Sequence, residues 1–356
     1  MGFGSLLVAA SIVAVFYLVR DSPAKRDAPK EIPQGLVVAV HPNGPSFATV
    51  DLAGDVHVYG PTDHLLPHDA VSGVTLSKSG DAIVSTGSRV FVVEGADFTR
   101  SPIELGPLEF DHISWVANDV RAAPTQDGTA VWVVQPALHM RSGEGYDTRA
   151  YLVASDGSSV LRAVTDPRSL VPVGVTAGAK LVVNNYDDGE VLTIAQTGEI
   201  EFVGSGWAIG VGRNHVAIVE DTGALVAVSN AGTQRVPMPV VGGKWSSAGY
   251  STIPDVSVPV SMVTDDGRLL VDVVVAAPEE GDRGYRRFLY VVDVDNAAPP
   301  IAVPTSSFHG SAAWTDDGNS IILMAPHKAW TIDLSGNQSA EFLHEFDSEL
   351  FVITAH

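Results

Sequence analysis

The chain contains no cysteine in 356 residues. That excludes disulfides, a cysteine-ligated structural zinc site and thiol catalysis together, and it removes the acylated cysteine on which a bacterial lipoprotein depends. Cations are scarce too: 21 Lys and Arg stand against 42 Asp and Glu, a formal net charge of -21. The basic residues are scattered, so they do not assemble the cationic surface that phosphate binding needs, which argues against nucleic acid as a partner. Beyond residue 30 there is no sustained apolar period of 3.6 residues, and amphipathic helices are not expected.

What is present is strand and turn chemistry. The chain has 34 Gly and 22 Pro, and these separate short runs rich in Val and Thr, the composition of strands joined by turns. The stretch 312–343 shows the plan most fully. Apolar and polar residues alternate up to Trp314, an Asp316-Asp317-Gly318 turn follows, and then come the runs 321–324 and 330–334, a Ser335-Gly336 turn and the run 340–343. Four strands and two tight turns in one short stretch make a propeller blade.

The unit recurs. Turns such as Ser155-Asp156-Gly157, Thr197-Gly198 and Ala231-Gly232 fall late in successive units, and Ser79-Gly80, Asp127-Gly128, Ala177-Gly178 and Asp266-Gly267 fall early in them. The repeat predicts an all-β chain: a seven-bladed β-propeller over 35–356. The innermost strand of the third blade is expected at 112–118 (HISWVAN) and that of the sixth at 256–263 (VSVPVSMV). One strand, LFVITA at 350–355, is left over at the C-terminus, and the first unit, 36–60, is one strand short. Together they make one closed blade, which buries an otherwise open seam.

Ahead of the repeats, residues 3–19 form an uncharged, almost wholly apolar run closed by Arg20. As a helix it covers about 25 Å, enough for one N-terminal transmembrane helix within 1–20. Residues 21–34 carry three prolines and mixed charge and read as an extended linker. A membrane-anchored, single-pass protein with its propeller outside the cytoplasm is the expectation. Arg20, Lys25, Arg26 and Lys30 follow the span, and the positive-inside rule taken alone favours the opposite orientation.

The segments AAWTDDGNSIILM (312–324), VSMVTDDGRLLVDV (260–273) and RAAPTQDGTAVWVV (121–134) resemble the W-S-P-D-G repeats of TolB-like and WD40-like bacterial propellers. Asp316 and Asp265 stand where that repeat has proline, and the fourth and fifth units lack the Asp-Gly. The resemblance implies a propeller of a kind that mostly serves as a binding platform, although the same repeats also gate peptidases.

In such a ring the second-to-third strand loops and the blade-to-blade connections share one face, and the longer inserts fall there. They carry His64 and His68 (61–70), His139, Arg141 and Tyr146 (135–148), Trp245 and Tyr250 (240–255), Arg283 and Tyr285 (276–287), and His309. Aromatic and Arg side chains on long loops suit a binding surface, here for a protein, peptide or glycan partner. Neither a cofactor nor a metal is expected. His64 and His68 have helical ligand spacing, but Pro61 and Pro67 flank them, and the acidic turns lack the calcium-loop spacing. No nucleophile elbow occurs, so a non-enzymatic module is the leading reading. The alternative is a propeller enzyme, a lyase, lactonase or glycan hydrolase, with His64, His139 and His309 converging at the mouth of the central channel.

Overall fold

The computed structural model describes residues 37–40, 47–50, 56–59, 71–76, 81–86, 89–93, 102–110, 120–139, 145–212, 214–240, 243–247, 267–276, 285–294, 299–303, 311–314, 319–325, 328–334, 340–345 and 351–355. Strands in these segments form seven four-stranded antiparallel sheets and one two-stranded ribbon. Sheet one joins Val37–Val40, Phe47–Val50 and Val56–Tyr59 to the last strand, Phe351–Ala355. Sheet two is Val71–Leu76, Ala82–Thr86, Val90–Val93 and Ile103–Glu104. Sheet three is Arg121–Pro124, Ala130–Gln135, Thr148–Ala154 and Val160–Asp166. Sheet four is Leu170–Val175, Leu181–Asn185, Glu190–Ile194 and Ile200–Ser205. Sheet five is Trp207–Val211, Val216–Val219, Leu225–Ser229 and Gly232–Val236. Sheet six is Lys244–Ser247, Arg268–Ala276, Tyr285–Asp293 and Ile301–Ala302. Sheet seven is Ser311–Trp314, Ser320–Ala325, Lys328–Asp333 and Ala340–Glu345.

The middle strands read as continuous apolar runs because both of their faces are covered, as in other sheets sandwiched between layers. Ala130–Gln135 and Leu181–Asn185 are buried at every position. Alternation survives in which neighbour each residue meets. Leu181 and Val183 pack with Trp132, Leu152 and Ile194 between sheets three and four, while Val182 and Val191 pack with Ala208 and Ile218 between sheets four and five. Ile209, Leu225, Trp245 and Leu269 then join sheets five and six, and Leu270, Leu289, Trp314 and Ile321 join six and seven. Ile83, Val92, Val131 and Val153 join sheets two and three. The last strand, Phe351–Ala355, touches both Ser311–Trp314 of sheet seven and Val71–Leu76 of sheet two. Packing therefore runs from each sheet to the next and from the seventh back to the first.

Two polar side chains buried between sheets are paired across the gap. The Asn184 amide donates to the Ala208 carbonyl at 3.0 Å and accepts from the Ala208 N–H at 2.8 Å, copying a strand pairing across the gap beside an irregularity in sheet five. Trp132, fully buried, donates its indole N–H to the Ala179 carbonyl at 3.1 Å.

The expected pairing of the two chain ends is present: Val37, Val38, Ala39 and Val40 face Ala355, Thr354, Val352 and Phe351. Two inner strands differ from expectation. In sheet three the inner strand is Arg121–Pro124, not 112–118, and in sheet six it is Lys244–Ser247, not 256–263. Neither RAAP nor KWSS is a strong strand sequence. Each is an edge strand whose register is set by its long central partner, and an edge accepts Pro124 because one row of its N–H groups needs no partner. The expected segments 112–118 and 256–263 lie outside the described residues, as do the proposed anchor and linker at 1–34. No helix among the described residues is long and apolar enough to cross a membrane.

Removing residues 349–356 is expected to expose the edge of Val37–Val40 and the flanks of sheets two and seven together, and so to lower the thermal midpoint of the whole ring. A truncated protein that melts cooperatively at the parental temperature would contradict the closure.

Candidate functional site

Antiparallel order within each sheet sends the second-to-third connections and the sheet-to-sheet connections to one end, and the remaining turns to the other. The far end of sheets three to five is finished by tight turns that satisfy themselves. In the first turn of sheet three, Gly128 adopts φ 70°, a conformation suited to glycine, and its N–H donates to the Thr125 carbonyl at 3.0 Å. The Thr125 and Thr129 hydroxyls both donate to one oxygen of Asp127, at 2.6 and 2.9 Å. Asp127 is thus occupied by hairpin chemistry, and these bonds, the one from the Thr125 hydroxyl foremost, hold its carboxyl below the ordinary value.

The near end carries projections. Between the second and third strands of sheet three, Leu138–His139 and Gly145–Tyr146 form a ribbon with Leu138 opposite Tyr146 and His139 opposite Gly145. In sheet six, Arg268–Ala276 pairs with Tyr285–Asp293 along its whole length, but the inner strand covers only Val271 to Val274 and the outer strand only Tyr290 and Val291. The end at Ala276 and Tyr285 therefore stands beyond its neighbours. His139, Tyr146 and Tyr285 are brought to this end by the two hairpins, while His64, His68, Arg141, Tyr250, Arg283 and His309 lie outside the described residues.

Trp245 is placed differently from expectation. It sits on the inner strand of sheet six rather than in a loop, is 5% exposed, and meets Tyr290 edge-on with ring centroids 6.5 Å apart. Its bulk fills the gap between sheets five and six, which makes it a core residue.

The base of the sheet-three ribbon is fastened by one hydroxyl. Thr148 Oγ1 accepts from the N–H groups of Ala137 and Leu170, at 2.8 and 3.1 Å, and donates to the Arg168 carbonyl at 2.6 Å. Beside it, Arg168 makes a bidentate pair with Asp166, at 2.9 and 2.8 Å. The next connection, the turn 186–189 of sheet four, is tied to the same place: Asp187 accepts the Ser169 N–H at 2.8 Å. Asn185, fully buried, donates to Asp188 at 3.0 Å and to Glu190 at 3.4 Å. Tyr186 stands half exposed on this turn, with Trp207 of sheet five edge-on at 4.4 Å. Gly206 makes that approach possible. Its φ is +116°, and a Cβ there would lie 2.3 Å from the Val219 carbonyl oxygen. The sequence displays the run Tyr186-Asp187-Asp188-Gly189-Glu190, but not its meeting with Arg168 and Trp207, which requires knowing how adjacent sheets abut.

Two charge-assisted bonds from Arg168 outweigh burial and hold the Asp166 carboxyl below its ordinary value of 3.8, and the guanidinium is raised in turn. In the unfolded chain Asp166 titrates at the ordinary value. The stability it contributes is therefore complete above that value and is lost as pH falls through the lower folded-state value. Asp166→Asn is expected to cost about 1–3 kcal/mol at neutral pH, and urea midpoints should converge with those of the parent as pH falls through the lowered folded-state value. Parallel pH profiles would contradict this.

No protein-family model matches the chain, and no curated protein matches its sequence. Solved structures do match its fold. Virginiamycin B lyase from Staphylococcus aureus is similar at 11% identity over 78% of this chain and 85% of its own, with a TM-score of 0.52. A functionally unknown protein from Desulfotomaculum acetoxidans is 8% identical over 90% of this chain and 99% of its own, at 0.53. A prolyl endopeptidase is 12% identical and matches 99% of this chain but 56% of its own, at 0.53. At such identities the likeness concerns fold alone. The neighbours are β-propellers and include enzymes, and the sheets of this chain follow the propeller type.

Proposed function

We propose that the chain is a seven-bladed β-propeller, held at a membrane through its N-terminal apolar segment, that serves as a non-enzymatic binding or scaffolding module in the bacterial envelope. Its partner is a protein, peptide or glycan. The observation that carries the reading is the pair of hairpins, Leu138–Tyr146 and Ala276–Tyr285, projecting from the same end of sheets three and six, while the turns at the far end of sheets three to five close on themselves. Backbone-paired ribbons present their tip residues at low entropic cost, because the stem is ordered before a partner arrives. In a ring of seven, sheets three and six stand on opposite sides, so a partner spanning the channel mouth would touch both. The seven sheets and the packing of the seventh on the first support the blade count. The uncharged run 3–19 and the linker 21–34 support the anchor.

A photo-crosslinking amino acid placed in living cells at Tyr146 or Tyr285, in the two hairpins, is expected to give discrete adducts, and the same group at Asp156 or Ala231, on the far end, to give none. Adducts confined to the far end, or none from either hairpin, would contradict the proposal.

A further inference from the structure

We infer that the far end of the ring lies flat against a lipid surface, touching it with apolar side chains of the outer strands, so that the two hairpins face away from the membrane. This deepens the reading above and rests on its N-terminal anchor. The chain enters the ring at the far end. Val37 stands opposite Ala355 in the sheet that joins both chain ends. There the last strand is innermost and Val37–Val40 is second, so the connection after Val40 is a near-end one and Val37 starts from the far end. The apolar run 3–19 and the linker 21–34 therefore join the ring on that side.

Reach alone does not choose which end meets the membrane. Residues 21–36 span at most about 55 Å when fully extended. The inner strands, four to six residues long, rise only about 13–20 Å, so a tether of that length can pass along the rim. The outer strands make the choice. Among the described residues the exposed large apolar side chains, Tyr186 apart, are Val160, Leu161, Phe202, Ile301 and Phe342. Each falls in the first half of an outer strand, the half that leaves a far-end turn. Phe202 and Phe342 are 60% and 59% exposed. The later ends of the three longer strands read Thr165-Asp166, Gly204-Ser205 and His344-Glu345, and Val164 and Val203 on those halves pack inward. Tyr186 stands on a near-end turn, where its ring meets Trp207 edge-on.

The layout names the occupant. The five side chains are spread around the ring on sheets three, four, six and seven. A body that touches all of them is both broad and flat, which a single peptide segment is not and a lipid surface is. Apolar side chains of this kind settle at the boundary of headgroups and acyl chains, about 5–10 Å deep. Charge does not supply the attraction: the chain carries a net charge of -21 and its far-end turns hold Asp127, Asp156 and Glu199, so neutral headgroups suit the contact. The tether compensates for few contacts, because a short linker sets an effective concentration on the order of millimolar. The rim is braced, since Arg162 on the outer strand of sheet three donates to the Gln196 carbonyl in a far-end turn of sheet four at 3.0 Å. The far-end turns also stay short, as where the Gly198 N–H closes on the Ala195 carbonyl at 2.8 Å, so in sheets three to five no projection holds the face off the lipid.

The test uses the full chain reconstituted with phosphatidylcholine vesicles, with a fluorophore on one introduced cysteine at a time, since no native cysteine competes. Ser159→Cys and Thr197→Cys label the far end, Gly145→Cys and Asp221→Cys the near end, all at exposed positions. Brominated lipid is expected to quench the far-end labels at least about threefold more than the near-end ones. Combining Leu161→Gln, Phe202→Gln and Phe342→Gln is expected to cut far-end quenching by about half or more. These side chains are exposed, so the thermal midpoint should stay at the parental value. Near-end quenching equal to or above far-end quenching, or far-end quenching untouched by the three Gln, would overturn the inference. A chain that stays with the vesicles through alkaline washing yet shows no quenching refutes the lipid contact alone; one that washes off refutes the anchor and the contact with it. Crosslinks from Tyr146 and Tyr285 report on the binding face in either case.

Discussion

The constraint on which the structure depends is that a sheet buried on both faces has no free side. Leu181–Asn185 is buried throughout, and so is Ala130–Gln135. Such strands cannot stand at the end of a stack, because burying a side chain of the size of Leu or Ile is worth about 1.5–3 kcal/mol and an open flank forfeits that at every position. A row of such sheets therefore closes on itself. The chain does this with its two ends: Phe351–Ala355 completes the sheet begun by Val37–Val40 and lies between the inner strands of sheets seven and two. Buried amides such as that of Asn184 add direction, since only one relative placement of sheets four and five satisfies both of its bonds.

Closure also decides where function can sit. With the faces of the middle strands packed against neighbouring sheets, variation is left to the edge strands and the two ends. At the far end the turns consume their own polar groups, as Asp127 does with Thr125 and Thr129. At the near end the polar groups tie neighbouring sheets instead. Thr148, Arg168, Asp166 and Asp187 form a seam between sheets three and four, on which the projecting ribbon and the turn of Tyr186 both stand. The near end is thus built on groups that also hold two sheets in register.

The parts of the fold readable in the sequence were those with a local cause. Apolar runs such as LVV and VLTI mark strands covered on both sides, and turns such as Asp127-Gly128 and Thr197-Gly198 mark hairpins whose φ suits glycine. The inner strands of sheets three and six were not readable, because RAAP and KWSS become strands only through register with a long partner, while more strand-like segments lie nearby in the chain. Trp245 followed the same logic: aromatic residues between turn signals look like a loop surface until the strand beneath them is known. The near-end seam depends on contacts between sheets, Tyr186 with Trp207 and Ser169 with Asp187, and no local pattern encodes those.

The central claim is that the ring is closed by its own last strand, and the absence of native cysteine makes a direct test available. Ala39→Cys and Val352→Cys place the two thiols of the protein on opposed positions of the closing pair. Opposed residues on antiparallel strands have Cα atoms about 4.5–5.5 Å apart, within reach of a disulfide. Mild oxidation of the folded protein is predicted to form the intramolecular bond without added denaturant and to raise the thermal midpoint. Thiols that stay free in the folded protein, or that pair only between molecules, would contradict the account.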